Sequence, residues 1–187
     1  MSEYLTATVA SLGARVLLYP TVAVNVLRNR VQSDYRYWND ITEHIVLGAV
    51  PFASDIPTFK EMGVRAVVTL NEPFEVFVPS GLYKDNGIDH LHLPTVDFMF
   101  APSEESLLEG VRFIDRYVSR GERVYIHCKA GRGRSTTLLI CYLAEYCGLT
   151  PEAAVEMVRA KRPQIQLAEA QWRACCDFHR KRGGGAG

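Results

Sequence analysis

From residue 45 onward, short apolar runs alternate with amphipathic stretches. The runs at 45–47, 66–70, 91–93 and 124–127 are short, apolar or β-branched and bounded by turn residues, which predicts strands. Residues 55–62 predict a short helix closed by Gly63. Ser103 is a predicted N-cap with Glu104 and Glu105 in the first turn. Leu107, Val111, Ile114 and Val118 then fall on one face, and Gly121 closes that helix. Three helices follow the last strand. Residues 135–147 are apolar on nearly every side, as expected of a buried central helix ended by Gly148. Thr150 caps a second helix with Pro151 at its first position, running to Pro163, and residues 167–182 form the third. The pattern predicts an α/β domain: a central mixed sheet of about four to five strands flanked by helices.

The first 30 residues differ. They hold one acid, Glu3, three arginines (Arg15, Arg28, Arg30) and a mostly apolar run over 5–27. The run is long enough to span a bilayer, but Arg15 near its middle and Pro20 beyond it fit an interfacial helix or an acid-poor targeting segment better. A helix packed on the domain and a true span are the alternatives. The expected organisation is a targeting or membrane-associating segment at 1–37, one catalytic domain at 38–182, and a disordered glycine-rich tail at 183–187.

Composition narrows the function. Twenty-one Lys and Arg balance 21 Asp and Glu, so nucleic acid is not an expected partner. Five cysteines without CxxC spacing fit neither a disulfide framework nor a structural zinc site. The neutrality is an average: residues 38–122 carry six bases against fourteen acids, and residues 123–187 carry eleven against five.

Part of that basic excess lies in one stretch, His127-Cys128-Lys129-Ala130-Gly131-Arg132-Gly133-Arg134-Ser135, where a strand runs through a glycine-containing turn into a helix. Successive backbone N–H groups of such a turn, with the positive end of the helix, make an oxyanion seat. No Lys-Ser/Thr pair follows the glycines, so this is not a nucleotide P-loop. A cysteine heads the seat. A thiol facing amides at a helix N-terminus ionises far more readily than a free one, making Cys128 the candidate nucleophile. Arg134 offers a planar fork to two phosphate oxygens, and Ser135 is placed to hydrogen-bond the sulfur as it leaves a phosphocysteine. His127 is expected to orient the loop rather than act as a base. Lys129 and Arg132 are extra cations that would suit a headgroup carrying a second phosphate. Glu72 and Glu75 are expected to build the site wall or pair with these cations, and Phe74, Phe77, Phe98, Met99 and Phe100 to form an apolar rim.

His127-Cys128, five residues, then Arg134-Ser135 resembles the active-site loop of the protein tyrosine phosphatase superfamily, in its dual-specificity branch. The resemblance implies that fold, a phosphocysteine intermediate, no metal or other cofactor, and an aspartic general acid upstream. Asp97, in Thr95-Val96-Asp97 and 31 residues before Cys128, matches the acid, with Asp89 and Glu72 in reserve. Residues 15–21, 46–51, 69–72, 95–97 and 127–132 extend the likeness to the mitochondrial phosphatidylglycerophosphate phosphatases of that branch. Gly133 stands where animal members carry a serine, which makes the loop resemble phosphoinositide phosphatases as well. By this resemblance Gln171 positions the hydrolytic water, Ala130, Gly131 and Gly133 join the phosphate seat, and the substrate is a phospholipid phosphomonoester met at a membrane surface. A phosphoprotein is the alternative substrate. The implied location is the mitochondrion, at its inner membrane, with a plastid or another internal membrane as the alternative.

Overall fold

The computed structural model describes residues 36–97 and 100–182, together with residue 20 and residues 22–24. The N-terminal segment, the glycine-rich tail, Phe98 and Met99 are therefore outside the described residues, apart from the few just given.

Five strands form one sheet: β1 (Trp38–Asp40), β2 (Ile45–Gly48), β3 (Val64–Thr69), β4 (Asp89–His92) and β5 (Arg123–His127), in the order β1-β2-β5-β3-β4. β1 is antiparallel to β2 and every other pairing is parallel, so the sheet is mixed. Helices α1 (Ile56–Glu61), α2 (Ser80–Asp85) and α3 (Glu104–Val118) connect the strands, and α4 (Arg134–Tyr146), α5 (Pro151–Lys161) and α6 (Glu169–Lys181) follow β5.

The two faces of the sheet bury alternate residues. Leu47, Val68, Val124 and Ile126 pack with residues of α3, α4, α5 and α6, while Val46, Val67 and Tyr125 pack with Ile56, Phe59 and Tyr83 on the other side. A parallel strand covered on both faces has no polar side to present, which is why β5 reads as a continuous apolar run. Every residue of α4 from Arg134 to Ala144 is buried, as its all-round apolar sequence predicts.

The termini of the elements follow local chemistry. Ser103 accepts a hydrogen bond from the Ser106 amide and Thr150 from the Ala153 amide, each satisfying a donor of the first helical turn. Tyr117 rather than Val118 completes the buried face of α3.

Two close backbone approaches fix where the catalytic loop sits. A Cβ on Gly48 would fall 2.0 Å from the Tyr125 hydroxyl oxygen. Gly131 has φ of +64°, and a Cβ there would fall 2.2 Å from the Gly48 carbonyl oxygen. The end of β2 and the loop after β5 therefore touch backbone to backbone. Gly48 and Thr69 both lie in register with His127, so three strand ends converge where the loop begins. This is the carboxyl edge of a parallel sheet, where α/β folds place their ligands.

Candidate active site

Cys128 follows β5 directly and is 4 % exposed. Its sulfur accepts a hydrogen bond from the Ser135 hydroxyl at 3.3 Å. Burial pushes the thiol's pKa up, but the Arg134 guanidinium with the Ser135 hydroxyl and amide outweighs both that and the opposing Asp97 charge. The thiol ends below its ordinary value.

Arg134, the first residue of α4, is 1 % exposed. Its Nη1 donates to Glu75 Oε2 at 2.7 Å, to the Thr95 carbonyl at 2.8 Å and to the Leu70 carbonyl at 3.3 Å. Nη2 faces Asp97 Oδ1 at 3.0 Å, and Nε is buried without a hydrogen-bond partner. One edge of the guanidinium is thus anchored to the segments after β3 and β4, while the fork of Nε and Nη2 retains a donor for an oxyanion.

Glu75 is fully buried and also faces Lys129 Nζ at 3.6 Å, and its Oε2 accepts from the Glu72 amide at 3.0 Å. Both acids expected in the site wall are buried, and Glu75 meets Arg134 and Lys129. Lys129 lines the cleft, and its side chain, 5 % exposed, forms ion pairs with Glu75 and Asp97. Arg132 is half-exposed at the cleft.

Asp97 pairs with both Lys129 and Arg134, which brings the matching carboxylate to the loop. Asp89 accepts from the Tyr117 hydroxyl at the opposite end of the parallel strands and has no place in the site. Gln171 is 2 % exposed. Its Oε1 accepts from the Ala168 amide at 3.0 Å and its Nε2 donates to the Phe100 carbonyl at 2.9 Å, tying the chain after Asp97 to α6. A Cβ on Gly133 would come within 2.7 Å of Gln171 Oε1, so the bare glycine is what lets this amide pack against the loop. Asp97, Cys128, Arg132, Gln166, Leu167 and Gln171 are among the residues around a cleft of about 500 Å³.

His127 Nε2 lies 2.7 Å from Thr69 Oγ1, which lies 2.8 Å from His90 Nε2. Burial, with nearby His90 and Arg134 adding to it against a backbone hydrogen bond at Cys128, lowers the His127 pKa to about 3. A neutral imidazole fixed by a threonine is an orienting group. Phe74 and Phe77 pack with Phe52 around Val22 and Val50, and Phe100 is half-buried.

Sequence reasoning missed Thr69, His90 and Arg162. Thr69 and His90 reach the site through strand register, which leaves no linear trace. Arg162 left one clue, its position between a helix end and Pro163. Among the described residues no cluster of His, Cys, Asp and Glu could hold a metal ion.

A buried cysteine at the head of an amide-lined turn, an arginine with a spare donor and an aspartate across the seat are the parts of a cysteine-dependent phosphatase. Residues 45–181 match the family model for the dual specificity phosphatase catalytic domain, and the chain belongs to that family. It is 54 % identical over 167 residues to the phosphatidylglycerophosphate phosphatase PTPMT1 of Arabidopsis thaliana, covering 89 % of this chain and 50 % of that protein. The chain thus spans half the length of that relative. It is 37 % identical over 174 residues to the phosphatidylglycerophosphatase and protein-tyrosine phosphatase 1 of Rattus norvegicus, covering 90 % of each. The crystal structure of PTPMT1 in complex with PI(5)P superposes with a TM-score of 0.77 at 32 % identity, covering 81 % of this chain and 99 % of that one.

Proposed function

We propose that this protein hydrolyses a phospholipid phosphomonoester, phosphatidylglycerophosphate, to phosphatidylglycerol and phosphate. The observation that carries the chemistry is Cys128, its pKa lowered, beside Ser135 and an Arg134 whose Nε lacks a partner. The substrate reading draws on the activities named for the Arabidopsis and rat relatives and on the phosphoinositide bound to PTPMT1.

In the first step the substrate's phosphate takes the fork of Arg134, displacing the Asp97 carboxylate, while the loop amides hold the equatorial oxygens. The Cys128 thiolate attacks phosphorus and the bond to the glycerol oxygen breaks. Asp97, protonated from solvent once the phosphate has displaced it, gives that proton to the oxygen. In the second step water, held by Gln171, attacks the phosphocysteine and passes a proton to Asp97. The sulfur leaves as a thiolate stabilised by the Ser135 hydroxyl. Lys129 and Arg132, both at the cleft, are the cations proposed to meet a second phosphate of the headgroup.

The test compares kcat/KM on phosphatidylglycerophosphate vesicles with that on phosphotyrosine and phosphothreonine peptides. The expected preference for lipid is about tenfold or more, corresponding to roughly 1.4 kcal/mol of differential transition-state binding. A peptide preference would favour protein phosphatase activity, the second activity in the rat relative's name. Cys128→Ser is expected to abolish turnover on either substrate.

We also propose that residues 1–37 bring the enzyme to the mitochondrial inner membrane, since the segment is apolar and poor in acids and the proposed substrate is a membrane lipid. No helix among the described residues is long and apolar enough to cross a membrane. Fusing residues 1–37 to a soluble reporter tests this reading, and a diffuse cytosolic signal would remove it.

A further inference from the structure

Arg162 is as buried as any residue in the molecule, at 0 % exposure, and it lies outside the catalytic loop. It caps α5 and precedes Pro163, whose ring disfavours the helical conformation at the residue before it. Accordingly Arg162 leaves the helix at φ −134° and ψ 84°, and its side chain reaches back to the loop. Nε donates to the Gly131 carbonyl at 2.8 Å, and Nη2 donates to the Ala130 carbonyl at 3.1 Å and the Tyr37 carbonyl at 3.4 Å. Nη1 donates to Asn39 Oδ1 at 2.6 Å and to the Arg36 carbonyl at 3.1 Å. One planar group thus joins two consecutive loop peptides to the chain around β1.

The consequence follows from peptide geometry. In a trans peptide the carbonyl oxygen of one residue and the N–H of the next point in opposite directions. Drawing the Ala130 and Gly131 carbonyls outward therefore turns the Gly131 and Arg132 N–H groups inward. The two neighbouring peptides are fixed in the same sense, because the Val50 amide donates to the Lys129 carbonyl at 3.2 Å and the Gln166 amide to the Arg132 carbonyl at 3.0 Å. Four successive carbonyls are held from outside the turn. Arg162 holds the middle two by its side chain, and backbone amides hold the outer two.

We propose that Arg162 is a positioning residue for the phosphate seat: by gripping the Ala130 and Gly131 carbonyls it holds two backbone N–H groups toward the phosphoryl oxygens without touching the substrate. The inference rests on the phosphatase reading of this site. It differs from a brace between α5 and β1, because such a brace would alter stability and leave the oxyanion seat unchanged.

The experiment uses the full chain with Arg162→Lys and Arg162→Gln, checked by thermal melting. The readouts are orthovanadate affinity, the pH profile of Cys128 alkylation by iodoacetamide, and turnover of para-nitrophenyl phosphate. Loss of two aimed donors is expected to weaken orthovanadate binding by about tenfold or more, shift the alkylation profile to higher pH, and lower kcat by more than it raises KM. Arg162→Lys, which keeps the charge on a single donor nitrogen without the planar fork, should lose less than Arg162→Gln. Variants that melt like the unmutated protein and match it within about twofold in both affinity and alkylation would overturn the proposal. A second measurement needs no variant: orthovanadate added to the unmutated protein should shift the Gly131 and Arg132 amide resonances, and unmoved resonances would also overturn it. If the unmutated protein fails to hydrolyse para-nitrophenyl phosphate, the phosphatase reading fails first.

Discussion

The Asp97 carboxylate pairs with the Arg134 edge that the proposed mechanism gives to phosphate, so on that proposal general acid and substrate compete for one guanidinium. Asp97→Asn removes the competitor and the transferable proton together. It should lower kcat by ~10²–10⁴-fold while tightening orthovanadate binding, the first from steady-state turnover and the second from inhibition titration. Ser135 acts at the other end of the reaction. Ser135→Ala deletes the donor 3.3 Å from the sulfur, so breakdown of the phosphocysteine should become slower than its formation. Rapid-quench kinetics should then show a burst of released alcohol, and a linear time course would remove Ser135 from the second step. The cysteine, arginine and serine were legible because one strand-to-helix turn carries all three in sequence. Glu75 was legible as a wall acid or a partner of the loop cations, whereas its burial against Arg134 depends on how three separate elements meet.

Among the elements, α4 carries the largest structural demand, since it is packed on all sides and its first residues are Arg134 and Ser135. Leu139, fully buried in the core shared with α3, α5 and α6, should cost about 2–5 kcal/mol on replacement by Ala, measured by urea unfolding. Cavity relaxation near the middle of α4 should lower stability more than kcat, because the loop is held from β2, Arg162 and Gln166. The elements with a strong period or a cap were legible: β2, β3, β5, α3, α4 and α5. Two were not. β1 is three residues, Trp-Asn-Asp, on a sheet edge, and its strand character comes from antiparallel pairing with β2 rather than from alternation. α2 contains Gly81, has no side-chain cap, and is held by burial of Tyr83. β4 occupies Asp89–His92 instead of 91–93, because an edge strand tolerates polar residues that an apolar-run criterion rejects. The helix expected over 55–62 is α1, Ile56–Glu61, preceded by a 3₁₀ turn at Ala53–Asp55, and the last helix begins at Glu169 rather than Leu167.

At the scale of the whole molecule, the buried charges make stability depend on pH, and His127 gives the sign. In the unfolded chain its imidazole titrates near 6.5, whereas burial lowers that to about 3 in the fold. Between these values the unfolded chain binds one proton more than the folded one, so stability falls as pH falls. The slope from one such group reaches about 1.4 kcal/mol per pH unit, which gives a loss of roughly 2 kcal/mol between pH 7 and pH 5. His90, lowered to about 4 by burial and by His92, acts in the same direction with a smaller share because solvent reaches it. Cys128 adds to the same slope below pH 9.0, since its pKa lies below that ordinary value and the stability it contributes is lost as pH falls through the folded value. Urea midpoints at pH 5, 6 and 7 should therefore rise with pH, and His127→Asn should flatten that rise while retaining a hydrogen-bonding group beside Thr69. Parallel slopes for the two proteins would mean that His127 takes up its proton without unfolding the chain. A neutral His127 also keeps a further positive charge away from Arg134, which is already paired with Glu75 and Asp97. The acidic fall in stability and the orientation of the loop thus have one cause, an imidazole too buried to be charged.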